Sequence, residues 1–271
     1  MFVLVDGLPS GTIPVTDSAV VRGDGCFEAM RSYDGRLFAL DDHLDRLERS
    51  ASSLRIELPG RAQLAGWCKA AAVAGGDGIV RLIVTRGPAV PGMDGEGHTV
   101  VMHHALPSQP EVIRLFPVSA PWHPAGRHWD LATAKTISYA PNLSATRHAV
   151  EQGFDDALLV ADDGTILEGP TFAVGWVVGG VLETPSLDLL ILPSITRKRV
   201  LELAHGAGIE VDEGRFRIDR LGEAEELLAF STTKEVKAVG EFAGQAFEPG
   251  PVRARLQAAF TDLVARATYR V

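Results

Sequence analysis

Short alternating and wholly apolar stretches are interleaved with helical periods along this chain, and turn residues separate them. Residues 1–7 predict a short strand and turn. Residues 26–33 (Cys-Phe-Glu-Ala-Met-Arg-Ser-Tyr) predict a strand, Asp34-Gly35 a hairpin turn, and Arg36 to Ala39 the start of the return. A helix carrying His43, Leu44, Leu47 and Leu54 follows, with Asp41 or Asp42 placed to cap it. A second helix over 61–74 stops at Gly75-Gly76. Strands are predicted over 79–86, 98–105 and 112–118, and the whole reads as an α+β unit built on antiparallel strands.

Residues 119–131, rich in Pro, Trp, His and Gly, carry no period and read as a crossing between two halves. Beyond them a helix over 142–152 stops at Gly153, and a hairpin joins Ala157–Ala161 to Ile166–Glu168 through Asp162-Asp163-Gly164. Residues 173–178 and 180–183 pair around Gly179-Gly180. Ser194 precedes a helix that Gly206 ends. A helix near 218–226, strands near 227–231 and 235–239, and a C-terminal helix complete the chain. The expected division is an N-terminal domain over 1–118, a linker over 119–131 and a C-terminal domain over 132–271.

Composition narrows the class without naming it. The 271 residues suffice for one large domain or two medium ones, with 46% apolar and 23% charged residues. A net charge of −9 argues against binding a phosphate backbone, so no nucleic-acid partner is expected. No apolar run approaches the roughly 20 residues that span a bilayer. No signal peptide is read at the start. Two cysteines, Cys26 and Cys68, make no disulfide framework, and a reduced, cytoplasmic protein is expected. Cys26 is expected to be packed rather than reactive. No metal site is expected.

Five places carry candidate chemistry. Lys135 is a surface lysine or, if buried in a cleft, an amine of lowered pKa able to form a Schiff base. Glu168, at the end of a hairpin, is a solvated turn residue or a carboxylate facing a cleft. Ser194-Ile195-Thr196 opens a helix, where free N–H groups and the dipole favour an anion. Ser231-Thr232-Thr233 ends a strand with hydroxyls and turn amides, and Arg46 offers a bidentate charge.

Taken in order, these segments resemble the fold-type IV pyridoxal-phosphate (PLP) enzymes: branched-chain aminotransferases, D-amino-acid aminotransferases and aminodeoxychorismate lyases. Arg22-Gly23-Asp24-Gly25-Cys26-Phe27-Glu28 is similar to the family's early strand entry, and His43-Leu44-Asp45-Arg46-Leu47 to its His-x-x-Arg-Leu helix. Lys135 through Asn142 resembles the catalytic lysine segment. Gly153 through Leu159 and Asp163 through Gly169 resemble the stretch leading to the glutamate. Leu192 through Arg197 and Ser231 through Val236 resemble the two phosphate turns.

The resemblance implies a two-domain α+β fold with a small N-terminal α/β domain and a larger C-terminal domain with a barrel-like β core. It implies PLP held as a Schiff base on Lys135, which also shuttles the proton. It places Tyr139 on the ring oxygen, Glu168 on the pyridine nitrogen, and Arg46, Ile195, Thr196 and Thr232 on the phosphate. The amides of Thr233 and Lys234 would face a substrate carboxylate, and Phe27 and Arg31 would line the substrate pocket, with Glu28 and the loop at 87–95 nearby. It also implies a homodimer.

The chain departs from the family at several points. Ala173 stands where an Asn is frequent, and Ser194 where a Gly precedes the phosphate-binding Ile-Thr. The loop at 87–95 lacks the Arg-x-His carboxylate trap of D-amino-acid aminotransferases. Val80-Arg81-Leu82 stands in place of the branched-chain enzymes' Tyr-Ile-Arg, so Arg31 or Arg81 is left as a substitute trap or as a structural residue.

Three functions are weighed. The first is a transaminase moving an amino group between an amino acid, D-amino acids favoured, and a 2-oxo acid such as 2-oxoglutarate or pyruvate; the turn at 231–236 favours it. The second is aminodeoxychorismate lyase, favoured by the stretches at 23–27 and 168–171. The third, a degenerate binding module, requires the lysine or glutamate to be lost, and both are present.

Overall fold

The computed structural model describes residues 2–9, 11–88 and 95–269. It divides into two compact units. One comprises Met1–Ser108, Ala134–Tyr139 and Ala265–Val271, and the other Gln109–Thr133 and Ala140–Val264.

The first unit contains β1 (Phe2–Val5), α1 (Ser18–Arg22), β2 (Gly25–Tyr33), β3 (Arg36–Leu37), α2 (Leu40–Leu54), α3 (Arg61–Gly75), β4 (Gly78–Thr85) and β5 (Thr99–His104). Its sheet runs β1-β5-β4-β2-β3, and every pairing is antiparallel. Asp34 and Gly35 both take positive φ (49° and 74°), as a two-residue hairpin loop with the native strand twist requires. Successive side chains of β2 point to opposite faces. Met30 packs with Val80, Leu82, Leu44, Leu47, Leu64 and Cys68 in the core between sheet and helices. Burial pushes both thiols up to about 12, so Cys26 and Cys68 are packed and unreactive, as expected for Cys26. Neither Asp41 nor Asp42 caps α2. Ala39 holds the cap position without a side-chain bond, and the two acids lie in the first turn, where they complement the helix dipole.

The second unit contains β6 (Val112–Ser119), α4 (Ala140–Glu151), β7 (Asp156–Val160), β8 (Ala173–Val178), β9 (Val181–Pro185), α5 (Ile195–Gly206), β10 (Val211–Gly214), β11 (Glu226–Ser231), β12 (Glu235–Phe242), β13 (Gln245–Ala246) and α6 (Pro251–Tyr269), whose last residues count with the first unit. Seven strands run β10-β9-β8-β11-β12-β6-β7, with β13 pairing β12. Three of these pairings are parallel: β9 with β10, β12 with β6, and β6 with β7. Trp176, Leu158, Ile166, Leu227 and Val239 fill one core cluster, and Ala149, Ala157, Leu159, Leu167 and Ile191 another.

The unit boundary differs from the sequence expectation in both directions. β6, placed by sequence in the N-terminal part, is an inner strand of the second sheet because its partners are β12 and β7. The lysine segment 134–139, placed in the C-terminal part, belongs to the first unit: Phe27 N–H donates to the Lys135 carbonyl (3.0 Å) and Ile137 N–H to that of Gly25 (3.0 Å). The helix expected near 218–226 is a 3-10 turn over Ile218–Glu223 followed by β11. Leu227, Leu228 and Ala229 are all buried, which suits an inner strand. No helix among the described residues is long and apolar enough to cross a membrane.

Candidate active site

In the first unit, the centre of interest is the segment that β2 holds. The Lys135 N–H donates to Ser50 Oγ (3.0 Å), and Ser50 Oγ donates to the Arg46 carbonyl (2.9 Å) one helical turn earlier. The lysine's main chain is thus fixed by both β2 and α2. Its Nζ stands 4.5 Å from the centre of the Phe27 ring and 3.5 Å from the Tyr139 hydroxyl. Phe27 and Tyr139 meet edge to face at 5.3 Å. An amine held between two aromatic rings and one hydroxyl is a nucleophile with a defined direction of approach. Lys135, Tyr139 and Phe27, three predicted site residues, are therefore brought together.

Arg46 is buried, on the stripe of α2 formed by His43, Arg46, Leu47 and Ser50 at helical spacing. Its Nε and Nη2 grip the two oxygens of Glu28 at 2.8 and 2.7 Å, and His43 Nδ1 lies 2.6 Å from Glu28 Oε2. Burial alone pushes the Glu28 carboxyl up, but the Arg46 charge and the hydrogen bonds from Arg46 and His43 outweigh it and bring it down to about 2. Burial holds His43 below its ordinary value, against the pull of Glu28, so its ring is a neutral donor. Glu28 is therefore no pocket residue. It lies on the core face of β2, on the side opposite Phe27 and Arg31.

The Phe27 face of β2 and β4 carries two arginines. Arg81 stands opposite Ala29, and Arg31 opposite Ile79, so both share the face that bears Phe27. Arg31 lies 4.9 Å from the Tyr33 ring and Arg81 5.3 Å from that of Phe27. Arg31 Nη1 and Arg81 Nε are buried and have no hydrogen-bond partner among the described residues. Residues 89–94 of the loop lacking the carboxylate trap lie outside the described residues.

The second unit presents the carboxylate and the anion-binding turns. Leu159 N–H donates to the Glu168 carbonyl (2.8 Å), which fixes the chain at that residue. The Glu168 side chain accepts from Leu192 N–H, 3.2 Å from each oxygen. Ser194 caps α5 by accepting from Arg197 N–H (3.2 Å), and its carbonyl takes Lys198 N–H (3.0 Å). The amides of Ile195 and Thr196 open the helix ahead of those bonds, the arrangement that binds anions at helix starts. Arg197 anchors this turn: it is buried and reaches Thr184 Oγ1, the Pro185 carbonyl and Glu213. In the turn after β11, Ser231 Oγ lies 3.3 Å from Thr233 Oγ1 and accepts from Lys234 N–H (3.2 Å). That bond engages the Lys234 amide, which the resemblance expects to face a substrate carboxylate. Its ammonium stands 5.2 Å from the Phe172 ring, and burial lowers it below an ordinary lysine despite the charge of Asp156.

Each unit carries groups that suit a phosphate-bearing pyridine: a directed amine in the first, and in the second an anchored carboxylate, a helix start and a hydroxyl-rich turn. The chain is a PLP-dependent transaminase of fold type IV. The family model of class IV aminotransferases matches residues 25–242, and the chain belongs to that family. Its cofactor is pyridoxal 5'-phosphate. The chain is 32% identical over 265 residues to a putative branched-chain-amino-acid aminotransferase of Methanocaldococcus jannaschii, covering 93% of this chain and 91% of that one. It is 30% identical over 274 residues to a bifunctional aminodeoxychorismate lyase/D-amino acid transaminase of Mycobacterium tuberculosis, covering 92% of each. The PLP-bound structure of a hypothetical aminotransferase from Mycobacterium tuberculosis superposes with a TM-score of 0.86 at 27% identity, over 97% of this chain and 99% of that one.

The sequence reading missed Ser50, which sits one turn after Arg46 on the stripe that already carried His43, and that spacing is the signal that marks it. It placed Glu28 beside Phe27, although strand parity separates their faces.

Proposed function

We propose that this enzyme transfers an amino group between an amino acid, with D-amino acids favoured, and a 2-oxo acid such as 2-oxoglutarate or pyruvate. The carrying observation is the Lys135 amine, directed by Phe27 and Tyr139 on a main chain tied to β2 and α2. When bound, the cofactor is an electron sink that makes the amino acid's α-proton acidic. Lys135 would hold the cofactor covalently and, once the substrate's amine displaces it, its freed Nζ would take that proton and return it. Tyr139 steadies the lysine and the ring oxygen. Glu168 keeps an anion at the ring nitrogen. The amides of Ile195 and Thr196, the Thr232 hydroxyl and the Arg46 guanidinium hold the phosphate. The Thr233 amide faces the substrate carboxylate; Lys234 contributes its ammonium, since its amide is bound to Ser231. Phe27 packs against the substrate.

Arg31 and Arg81, whose buried nitrogens lack partners among the described residues, supply the charge for a carboxylate of the 2-oxo acid. Arg81→Leu is expected to raise KM for 2-oxoglutarate by about tenfold or more and for pyruvate by less, since one carboxylate would lose a charge-assisted bond. Equal effects on both acceptors in steady-state assays would remove the arginines from this role.

Aminodeoxychorismate lyase is the second reading, favoured by the likeness at 23–27 and 168–171 and by a relative whose name joins both activities. Purified enzyme is mixed with D-alanine and 2-oxoglutarate, and separately with aminodeoxychorismate. Pyruvate from the first mixture is expected; pyruvate from the second alone would replace the main reading. The protein is further proposed to be a cytoplasmic homodimer, the former supported by two free, buried thiols. Light scattering giving the mass of one chain would reject the dimer.

A further inference from the structure

Glu168 has a second neighbour besides Leu192, and it comes from the aperiodic segment. His123 Nε2 lies 3.5 Å from Glu168 Oε1, an ion-pair distance. The other ring nitrogen is already engaged: Ala125 N–H donates to His123 Nδ1 at 3.0 Å. An N–H aimed at Nδ1 needs a lone pair there, so the proton of the neutral ring sits on Nε2, the nitrogen nearer the carboxylate.

The loop that sets this tautomer is itself fixed. Ala120 N–H donates to the Val160 carbonyl (2.9 Å), His123 N–H to that of Ala120 (2.9 Å), and Gly126 N–H to that of Leu189 (2.9 Å). Pro124 restricts the backbone of His123 to extended conformations. Ala125 and Gly126 take positive φ (50° and 89°). A Cβ on Gly126 would stand 3.0 Å from the Arg215 guanidinium and 3.1 Å from the Asp188 carbonyl. His123 is buried. A buried imidazole with its tautomer set by one amide and its remaining N–H beside one carboxylate is a directional element rather than a filler of space.

We propose that His123 is a positioning residue: its Nε2–H, oriented through the Ala125 amide, holds Glu168 in the rotamer that meets the cofactor's ring nitrogen. This rests on the role proposed above for Glu168. A neutral donor suits the task. It fixes one oxygen while leaving the carboxylate its full charge for the ring, whereas an arginine in that place would share the charge. A carboxylate has about four lone-pair sites, so Leu192 N–H and His123 together leave room for a third donor.

The test uses wild-type holoenzyme with His123→Leu, His123→Gln, Glu168→Gln and the double variant His123→Leu/Glu168→Gln. Three quantities are read: the pH midpoint of the cofactor's visible absorption band, the Kd for pyridoxal 5'-phosphate, and thermal unfolding of the apoprotein as a control for folding. Glu168→Gln is expected to move the band and weaken binding. His123→Leu is expected to move the band in the same direction and raise Kd about tenfold, the size of one hydrogen bond to a charged group. His123→Gln, which keeps a donor near the Nε2 position, should restore Kd to within about twofold of wild type. In the Glu168→Gln background, His123→Leu should add almost nothing, because the two act as one unit. Full additivity, or an unchanged band in His123→Leu alongside a shifted band in Glu168→Gln, overturns the role of His123. An unchanged band in Glu168→Gln itself overturns the underlying role of Glu168 and the proposal with it. In labelled apoprotein, a ring proton on His123 Nδ1 rather than Nε2 by NMR would overturn it independently of any activity.

Discussion

Lys135→Ala is expected to leave a folded protein that transfers no measurable amino group, with kcat/KM reduced by about 10⁴-fold or more. The loss combines two functions of one amine: covalent attachment of the cofactor and acid–base catalysis, the latter alone contributing about 10²–10⁴. The fold should tolerate the change. The side chain is only half-buried, and what fixes the segment is main chain: the Lys135 N–H on Ser50 and the carbonyl under Phe27. Unfolding by urea should shift by less than about 1 kcal/mol. Activity retained within tenfold, measured by release of the 2-oxo acid, would require another amine to do this chemistry.

The largest stability effect is expected at Glu28. Glu28→Ala leaves the Arg46 guanidinium buried without its bidentate partner and His43 without its acceptor, which should cost about 3–5 kcal/mol. The same triad sets an acid limit. Glu28 titrates near 2 when folded against an ordinary 4.5, so its contribution is complete above about 4.5 and is lost as pH falls toward 2. His43 is held below its ordinary 6.5, so the unfolded chain takes up a proton that the folded chain refuses, and stability begins to fall once pH drops below about 6.5. Both act in one direction. Urea midpoints should decline for wild type as pH falls from 7.5, and below about 4.5 they should decline less for Glu28→Gln, which has no carboxylate to protonate. Parallel declines would remove the triad as the cause. Because Glu28 also fixes the Arg46 side chain, Glu28→Gln should weaken cofactor binding without touching Lys135.

What the sequence revealed follows from what periodicity can encode. β2 with its Asp34-Gly35 turn, the stripe of α2 and the Ser194 cap of α5 each follow from local rules, and they lie where those rules put them. Contacts distant along the chain were less legible. β6 reads as one more strand after β5, and nothing local says that its partners are 40 and more than 120 residues away. The lysine segment follows the aperiodic stretch, yet its backbone bonds run to Gly25 and Phe27, over 100 residues earlier. Glu28 was grouped with Phe27 and Arg31 by proximity in sequence, although alternation places it on the other face, against Arg46. His123 acquires its chemistry from an amide two residues on and a carboxylate 45 residues on, and no composition rule brings those together.

Whether Lys135 carries the cofactor can be read from the protein itself. Purified protein loaded with pyridoxal 5'-phosphate is reduced with borohydride, digested, and mapped by mass spectrometry. A phosphopyridoxyl group is expected on the peptide containing Lys135 and on no other peptide in stoichiometric yield. Stoichiometric label on a different lysine, or no label on a protein that retains activity, would contradict it.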